Sequence, residues 1–240
     1  MIPVLEFRSV SRIHGSGHVR VDALVDVSLK VDAGSLVAVM GPSGSGKTTL
    51  LSLAGGLDHP TSGDVLVEGA LLNGKSIGAL AKMRRRRVGY VFQQYNLIDG
   101  LTAVENVSLP LEFDGVARRQ ASAAAMQALD AMGLREFAHR FPDELSGGEQ
   151  QRTAIARAVV GHRVLLLADE PTGALDTVTG ESVLQLMRTH CDSGGAGVLV
   201  THDARWAAWA DRVVFLRDGR VIDETDGPQG PESLLGQMSR

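Results

Sequence analysis

The run GPSGSGKTT, Gly41 to Thr49, satisfies the spacing G-x-x-x-x-G-K-[ST]. In such a loop glycines let the backbone approach a phosphate chain closely and successive N–H groups surround it. Lys47 would supply a point charge to the outer phosphates and Thr48 a hydroxyl to Mg²⁺. The whole run Gly41, Pro42, Ser43, Gly44, Ser45, Gly46, Lys47, Thr48 and Thr49 is therefore expected to bind nucleotide. A second chemical signal is the apolar run VLLLA, which ends in two adjacent carboxylates, Asp169 and Glu170. Ligands of α/β sheets lie at the carboxyl ends of strands. Asp169 is thus a candidate for the Mg²⁺ shell, and Glu170 a candidate to polarise the water that attacks a γ-phosphate. A third is LSGGEQQR, Leu145 to Arg152, where a Ser and two Gly precede a helix-forming run. Unpaired N–H groups at a helix start, aligned with the positive end of its dipole, also suit an anion. Ser146 and Glu149 have the spacing of a capping box, so taken alone this turn is only a good helix start.

The elements that must hold these groups follow from periodicity. VDALVDVSLKV, Val21 to Val31, alternates like a half-buried strand, and SLVAVM is a continuous apolar strand running into Gly41. KTTLLSLAGGL after it reads as a helix, which completes the context a phosphate loop requires. A short β unit, DVLVEG, precedes a helix to Arg86 and a strand from Arg87 to Phe92. From Thr102 to Arg140 the chain turns helix-rich, with the Ala-heavy ASAAAMQALDAMGL, and reads as a helical insertion. Beyond LSGGEQQR come the strand VLLLADE, a helix near Thr177 to His190, the strand GVLVTHD, a helix with Trp206 and Trp209, and the strand RVVFLRDG. Such alternation implies a largely parallel sheet covered on both faces. The tail DGPQGPESLLGQMSR is polar and rich in Pro and Gly, so its start is expected to be loose.

Composition removes several classes. A hydrophobic fraction of 44% with 22% charged residues suits a globular protein, and every apolar run is too short to span a bilayer. The stretch MIPVLEFRSV lacks the basic and apolar regions of a secretory signal, so an intracellular protein is expected. One cysteine, Cys191, excludes an internal disulfide and fits a reducing compartment. A net charge of −4 argues against nucleic acid as a partner. The basic run KMRRRR, Lys82 to Arg87, reads as a solvated helix end.

LSGGEQQR, with the phosphate loop before it and LLLADEPTGALD and LVTHD after it, resembles the nucleotide-binding subunit of ABC-type ATPases, in family order and over nearly the whole chain. The resemblance implies an α/β fold: a P-loop NTPase (RecA-like) core with an antiparallel β subdomain and a helical signature subdomain. As one nucleotide-binding domain over 1–240, the core would fall at about 1–92 and 160–225, the helical subdomain at about 93–159 and the tail at 226–240. It implies ATP and Mg²⁺ as cofactors, and a head-to-tail homodimer in which each ATP lies between the phosphate loop of one subunit and the signature turn of the other. Two cradles in one chain would then serve two different ATP molecules. By position, Ser146, Gly147, Gly148 and Glu149 would meet the ATP of the partner, and Gln93 would be the Q-loop glutamine touching Mg²⁺ and water, in preference to Gln94. Asp176 would be the D-loop aspartate and His202 the switch histidine at the γ-phosphate.

GGLDHPTSGDV, FQQYNLIDGLTAVENVSLPL and LADEPTGALD are similar to the ATPase subunits of macrolide-exporter, lipoprotein-release and bacitracin-resistance systems and of the FtsE-type cell-division ATPase. That group implies a separate integral membrane permease with a large extracytoplasmic domain, driven from the cytoplasmic face, whether for transport or for division. DNA-repair ATPases share both cradles but insert a long coiled coil, whereas about 100 residues without sustained heptads separate them here. One departure from the family is His14, which stands where an adenine-stacking aromatic, most often Tyr, is usual; an imidazole offers a smaller face.

Overall fold

In the computed structural model, which describes residues 2–15, 19–173 and 175–226, the run LVAVM forms β3 (Leu36–Met40), buried at every position. Its side chains alternate between two cores. Val37 and Val39 join one, while Leu36, Ala38 and Met40 join the other. A strand with both faces covered has no polar face to show, which is why it reads as continuously apolar. Strand β7 (Leu165–Asp169) behaves alike, with Leu165 and Leu167 on one side and Leu166 and Ala168 on the other.

These two strands belong to a six-stranded sheet that also contains β6 (Val88–Val91), β8 (Ala196–Val200), β9 (Arg212–Arg217) and β10 (Arg220–Asp226). Its order is β10-β9-β3-β8-β7-β6, parallel throughout except for β10 at one edge. A second, antiparallel sheet comprises β1 (Leu5–His14), β2 (Val21–Val31), β4 (Ser62–Val67) and β5 (Ala70–Leu71) in the order β2-β1-β4-β5. Together with helix α1 (Lys47–Ala54) it packs on one face of the larger sheet. On the other face lie α6 (Thr177–Asp192) and the short α7 (Ala204–Ala207), with Trp206 inside α7 and Trp209 just beyond it.

The helix-rich middle forms α3 (Ala103–Phe113), α4 (Arg118–Ala131) and α5 (Gly147–Val159), preceded in sequence by α2 (Ile77–Arg87). Helices α3, α4 and α5 enclose a third cluster built from Val107, Ala125, Leu129 and Ala156. The basic run closes α2, where cations complement the helix dipole. Its arginines are also tied down: Arg84 donates to the Gly56 carbonyl, Arg86 pairs with Asp114 at 2.7 Å and Arg87 with Glu68 at 3.3 Å. Cys191 is buried, and burial pushes its thiol up to about 11, so it is a packing residue. Of the expected tail, Asp226 ends β10 and 227–240 lie outside the described residues.

Helix α5 is seated on the sheet through Gly89 of β6. A Cβ at this position would lie 2.1 Å from the Ala158 carbonyl oxygen and 2.6 Å from a methyl of Leu166. Gly89→Ala should therefore force helix and strand apart and lower stability by about 1–3 kcal/mol, the usual cost of overpacking. Urea unfolding measures it, and an unchanged midpoint would show that the helix does not sit this close.

Candidate functional site

The phosphate loop begins where β3 ends and closes on α1. Gly46 caps α1 in the left-handed region, φ 105, and, lacking a side chain, gives the first-turn N–H groups no side-chain cap. A Cβ on Gly46 would lie 2.3 Å from the Ala23 carbonyl, so both φ and space require glycine. Gly44, φ 80, faces open space instead. The loop thus presents backbone donors and the positive end of a helix to a gap, which is the arrangement that receives phosphate.

Lys47 folds back across the loop, its Nζ donating at 2.8 Å to the carbonyls of both Gly41 and Pro42. Burial lowers its pKa, opposed by the charges of Glu170 and Asp169. Thr48 Oγ1 donates to Asp169 Oδ2 at 2.8 Å. Burial raises the Asp169 carboxyl, against the hydrogen bond from Thr48; Glu170 adds to the rise and Lys47 opposes it. A hydroxyl and a carboxylate brought together are the oxygen donors a hard cation takes. Among the described residues no group of three or more His, Cys, Asp or Glu could hold a metal. Such a cation would complete its shell with phosphate oxygens and water, as Mg²⁺ commonly does.

Glu170 follows β7 with φ 48, a strained conformation for a residue with a side chain. Its N–H donates to the Val200 carbonyl at 3.0 Å, fixing the turn to the end of β8. The carboxylate meets His202 Nδ1 at 2.7 Å and accepts from Thr201 Oγ1 at 3.4 Å. The Glu170 side chain is 16% exposed and that of His202 74%, so one end of the contact is held and the other faces the cleft.

The loop residues other than Ser45 line one cleft of about 1020 Å³ with Asp169, Glu170, His202, His14 and Gln93, while Ser45, expected among the nucleotide-binding residues, is buried off its wall. Gln93, not Gln94, is on its wall. The wall further includes Val21, Asp22, Ala23 and Asp218, which reasoning from sequence passed over. Asp218 and Gly219 form the turn between β9 and β10, and Gly219 N donates to the Ser45 carbonyl at 3.1 Å, bracing the phosphate loop. The dipeptide DG between the strand-forming run RVVFLR and the following RVI is a hairpin signal that could have located this turn.

Among the described residues the signature turn is not on the wall of this cleft. Ser146 caps α5: Glu149 N donates to Ser146 Oγ at 3.4 Å, and Ser146 N to Glu149 Oε2 at 2.8 Å. Gly147 and Gly148 are the first two residues of the helix. Asp176 caps α6, accepting from Thr179 N at 3.0 Å and Thr179 Oγ1 at 2.7 Å, and it too lies off the cleft wall. The structure therefore gathers the phosphate loop, Gln93, Asp169, Glu170, His202 and His14, and sets the signature turn and Asp176 apart from them.

Comparison with known proteins places this geometry. A family model described as ABC transporter matches residues 24–173. An uncharacterized ABC transporter ATP-binding protein of Thermotoga maritima is 46% identical over 221 residues, 92% of this chain and 94% of that protein. The macrolide export ATP-binding/permease protein MacB of Neisseria gonorrhoeae is 42% identical over 236 residues, 98% of this chain, which spans only 37% of that longer protein. The dimeric structure of a bacterial ABC transporter cassette superposes with a TM-score of 0.89 at 41% identity, covering 94% of this chain and 99% of that one. A post-hydrolysis dimer of the same cassette, bound to ADP and Pi, gives 0.89 at 40% identity. No helix among the described residues is long and apolar enough to cross a membrane. The α/β fold of a P-loop NTPase and a family match over more than half its length make this chain an ATP-binding, ATP-hydrolysing cassette of the ABC transporter family.

Proposed function

We propose that the chain works as one half of a head-to-tail dimer at the cytoplasmic face of a membrane, where ATP hydrolysis drives a permease with a large extracytoplasmic domain. The observation that carries this reading is the separation of the two cradles: the cleft holds one phosphate loop, and the signature turn of the same chain is not on its wall. A second copy supplies the missing half. The relatives support the rest, one being an export ATP-binding/permease protein and one a dimeric cassette.

In this reading Gly41 to Thr49 hold the triphosphate through backbone N–H groups and Lys47, and His14 receives the adenine. Thr48, Asp169 and Gln93 would hold Mg²⁺, which would supply Lewis-acid stabilisation of the charge on the transferred phosphoryl group. Glu170 orients and polarises the attacking water, and His202, already in contact with Glu170, meets the γ-phosphate. From the partner, Ser146, Gly147, Gly148 and Glu149 close over the γ-phosphate, and Asp176 links the two sites. The core at about 1–92 and 160–225 thus binds ATP in cis, and the helical part at about 93–159 serves the site in trans.

Glu170→Gln should still bind MgATP and accumulate as a nucleotide-bound dimer while losing about 10²- to 10⁴-fold in turnover, the usual contribution of a positioned base. Near-normal turnover would remove Glu170 from this role. The trans arrangement is tested by mixing a Lys47→Ala subunit with a Ser146→Arg subunit, each inactive alone. The mixed dimer retains one composite site, so ATPase should return, and a fully active monomer would refute the arrangement. His14→Tyr should keep or tighten ATP binding, and His14→Ala should weaken it a few-fold to about tenfold, since aromatic stacking is worth roughly 0.5–1.5 kcal/mol. Equal nucleotide affinities in all three proteins would remove His14 from the adenine site.

A further inference from the structure

Arg157, in the last turn of α5, binds a loop. Its Nη1 donates to the Asn96 carbonyl at 2.6 Å and its Nη2 to the Tyr95 carbonyl at 2.8 Å. Asn96 adopts φ 50, a left-handed conformation that Asn tolerates better than most residues, and its carbonyl joins that of Tyr95 on one guanidinium. The planar fork of Arg suits this two-point grip with two separate nitrogens in fixed geometry, whereas a Lys ammonium would have to meet both carbonyls from a single nitrogen.

Tyr95 also reaches the other end of the helix. A Cβ on Gly147, in the first turn of α5, would lie 3.1 Å from the Tyr95 hydroxyl. Ten residues, about 15 Å of helix, separate Gly147 from Arg157. Long helical side chains lean toward the N-terminus, so Arg157 reaches back toward the signature end. The segment Tyr95–Asn96 is thereby strapped along α5.

The loop stays fixed to the helices beyond this point. Buried Asn106 of α3 accepts from Ile98 N at 2.8 Å and donates to the carbonyls of Ile98 at 3.1 Å and Leu101 at 2.9 Å. On the opposite side, Phe92 stacks on Tyr90 of β6 with ring centroids 4.1 Å apart. Only Gln93 and Gln94 lie between the ring held by the sheet and the residue held by α5.

We infer that Arg157 is a positioning residue for the signature turn: with Tyr95 it fastens α5 to the loop just after Gln93, so that Gln93 in one cleft and the signature turn offered to the other move together. This rests on the trans arrangement proposed above. The mixed dimer separates the two. Its composite site takes the signature from the Lys47→Ala subunit and the phosphate loop and Gln93 from the Ser146→Arg subunit. Arg157→Met in the signature-giving subunit should lower kcat at least tenfold with KM for ATP within about threefold. The same change in the other subunit should leave kcat within about threefold. Arg157→Lys in the signature-giving subunit should fall between, because it keeps the charge but offers a single nitrogen to the two carbonyls, and it carries the same comparison should Arg157→Met not fold. Equal losses from either placement indicate a general packing role and overturn the inference, as does a loss confined to the subunit that gives Gln93. If the mixed dimer without any change at Arg157 stays inactive, the trans arrangement itself has failed and takes the inference with it.

Discussion

The hydrogen bond from Thr48 to Asp169 depends on the register of three strands. Thr48 stands at the start of α1, carried by β3, and Asp169 ends β7, yet these strands are not neighbours, because β8 runs between them. Val200 of β8 is level with Val39 on one side and with Asp169 on the other. Three parallel strands thus end at one height, and the hydroxyl and carboxylate meet across the end of the middle one. Side chains alternate with a period of two, so a slip of β7 by one residue would turn Asp169 to the opposite face. The apolar residues on both faces of β3 and β7 hold the register, which gives the packing of the sheet a direct chemical consequence.

The loop that carries Thr48 is also held from outside the parallel strands. Gly41 and Gly46 let it pass against the Leu216 and Ala23 carbonyls, where Cβ atoms would come within 2.0 and 2.3 Å. Gly219 donates to Ser45, and Val25 N donates to the Gly219 carbonyl at 2.8 Å, so β2, the β9–β10 turn and the phosphate loop form one assembly. The antiparallel sheet therefore supports the loop as well as bringing His14 to the cleft. A loop braced this way keeps its N–H groups aimed without side-chain caps, the preorganisation that electrostatic catalysis requires.

What the sequence made legible depended on how regular the physical signal was. The phosphate loop and acidic pair were plain through fixed spacing, strands β3, β7 and β8 because they are buried throughout, and β2 because its second half alternates. Strand β1 was passed over: Ser9 at φ 48 and several register shifts break its alternation, so LEFRSVSRIH has no clean period of two. Strand β10 was missed because it is an edge strand of largely polar residues, and with it went Asp218 and Gly219. The clamp from Arg157 to Tyr95 and Asn96 was invisible for another reason. It joins residues 61 and 62 positions apart through backbone carbonyls, which carry no sequence identity. Ser146 was legible as a cap, a property of one chain, whereas the capping of α6 by Asp176 emerges only in the structure and any service to a second ATP is a property of two.

The electrostatics of the cleft also bear on the divalent cation. Four carboxylates, Asp22, Asp169, Glu170 and Asp218, line it against one lysine, in a chain of net charge −4. A bare triphosphate would meet like charge, and Lys47 spends its hydrogen bonds on the loop's own carbonyls. What favours an anion here is short-ranged: the N–H groups and helix dipole at Gly46 act over the first turn only. A divalent cation held by Asp169 would convert this repulsion into attraction for the triphosphate. It would also favour ionised Asp169, whose carboxyl burial otherwise holds above the usual range. Binding of an anion by an acidic protein is thus consistent once the positive charge arrives with the substrate, and the same arrangement explains why overall charge says little about what this cleft accepts.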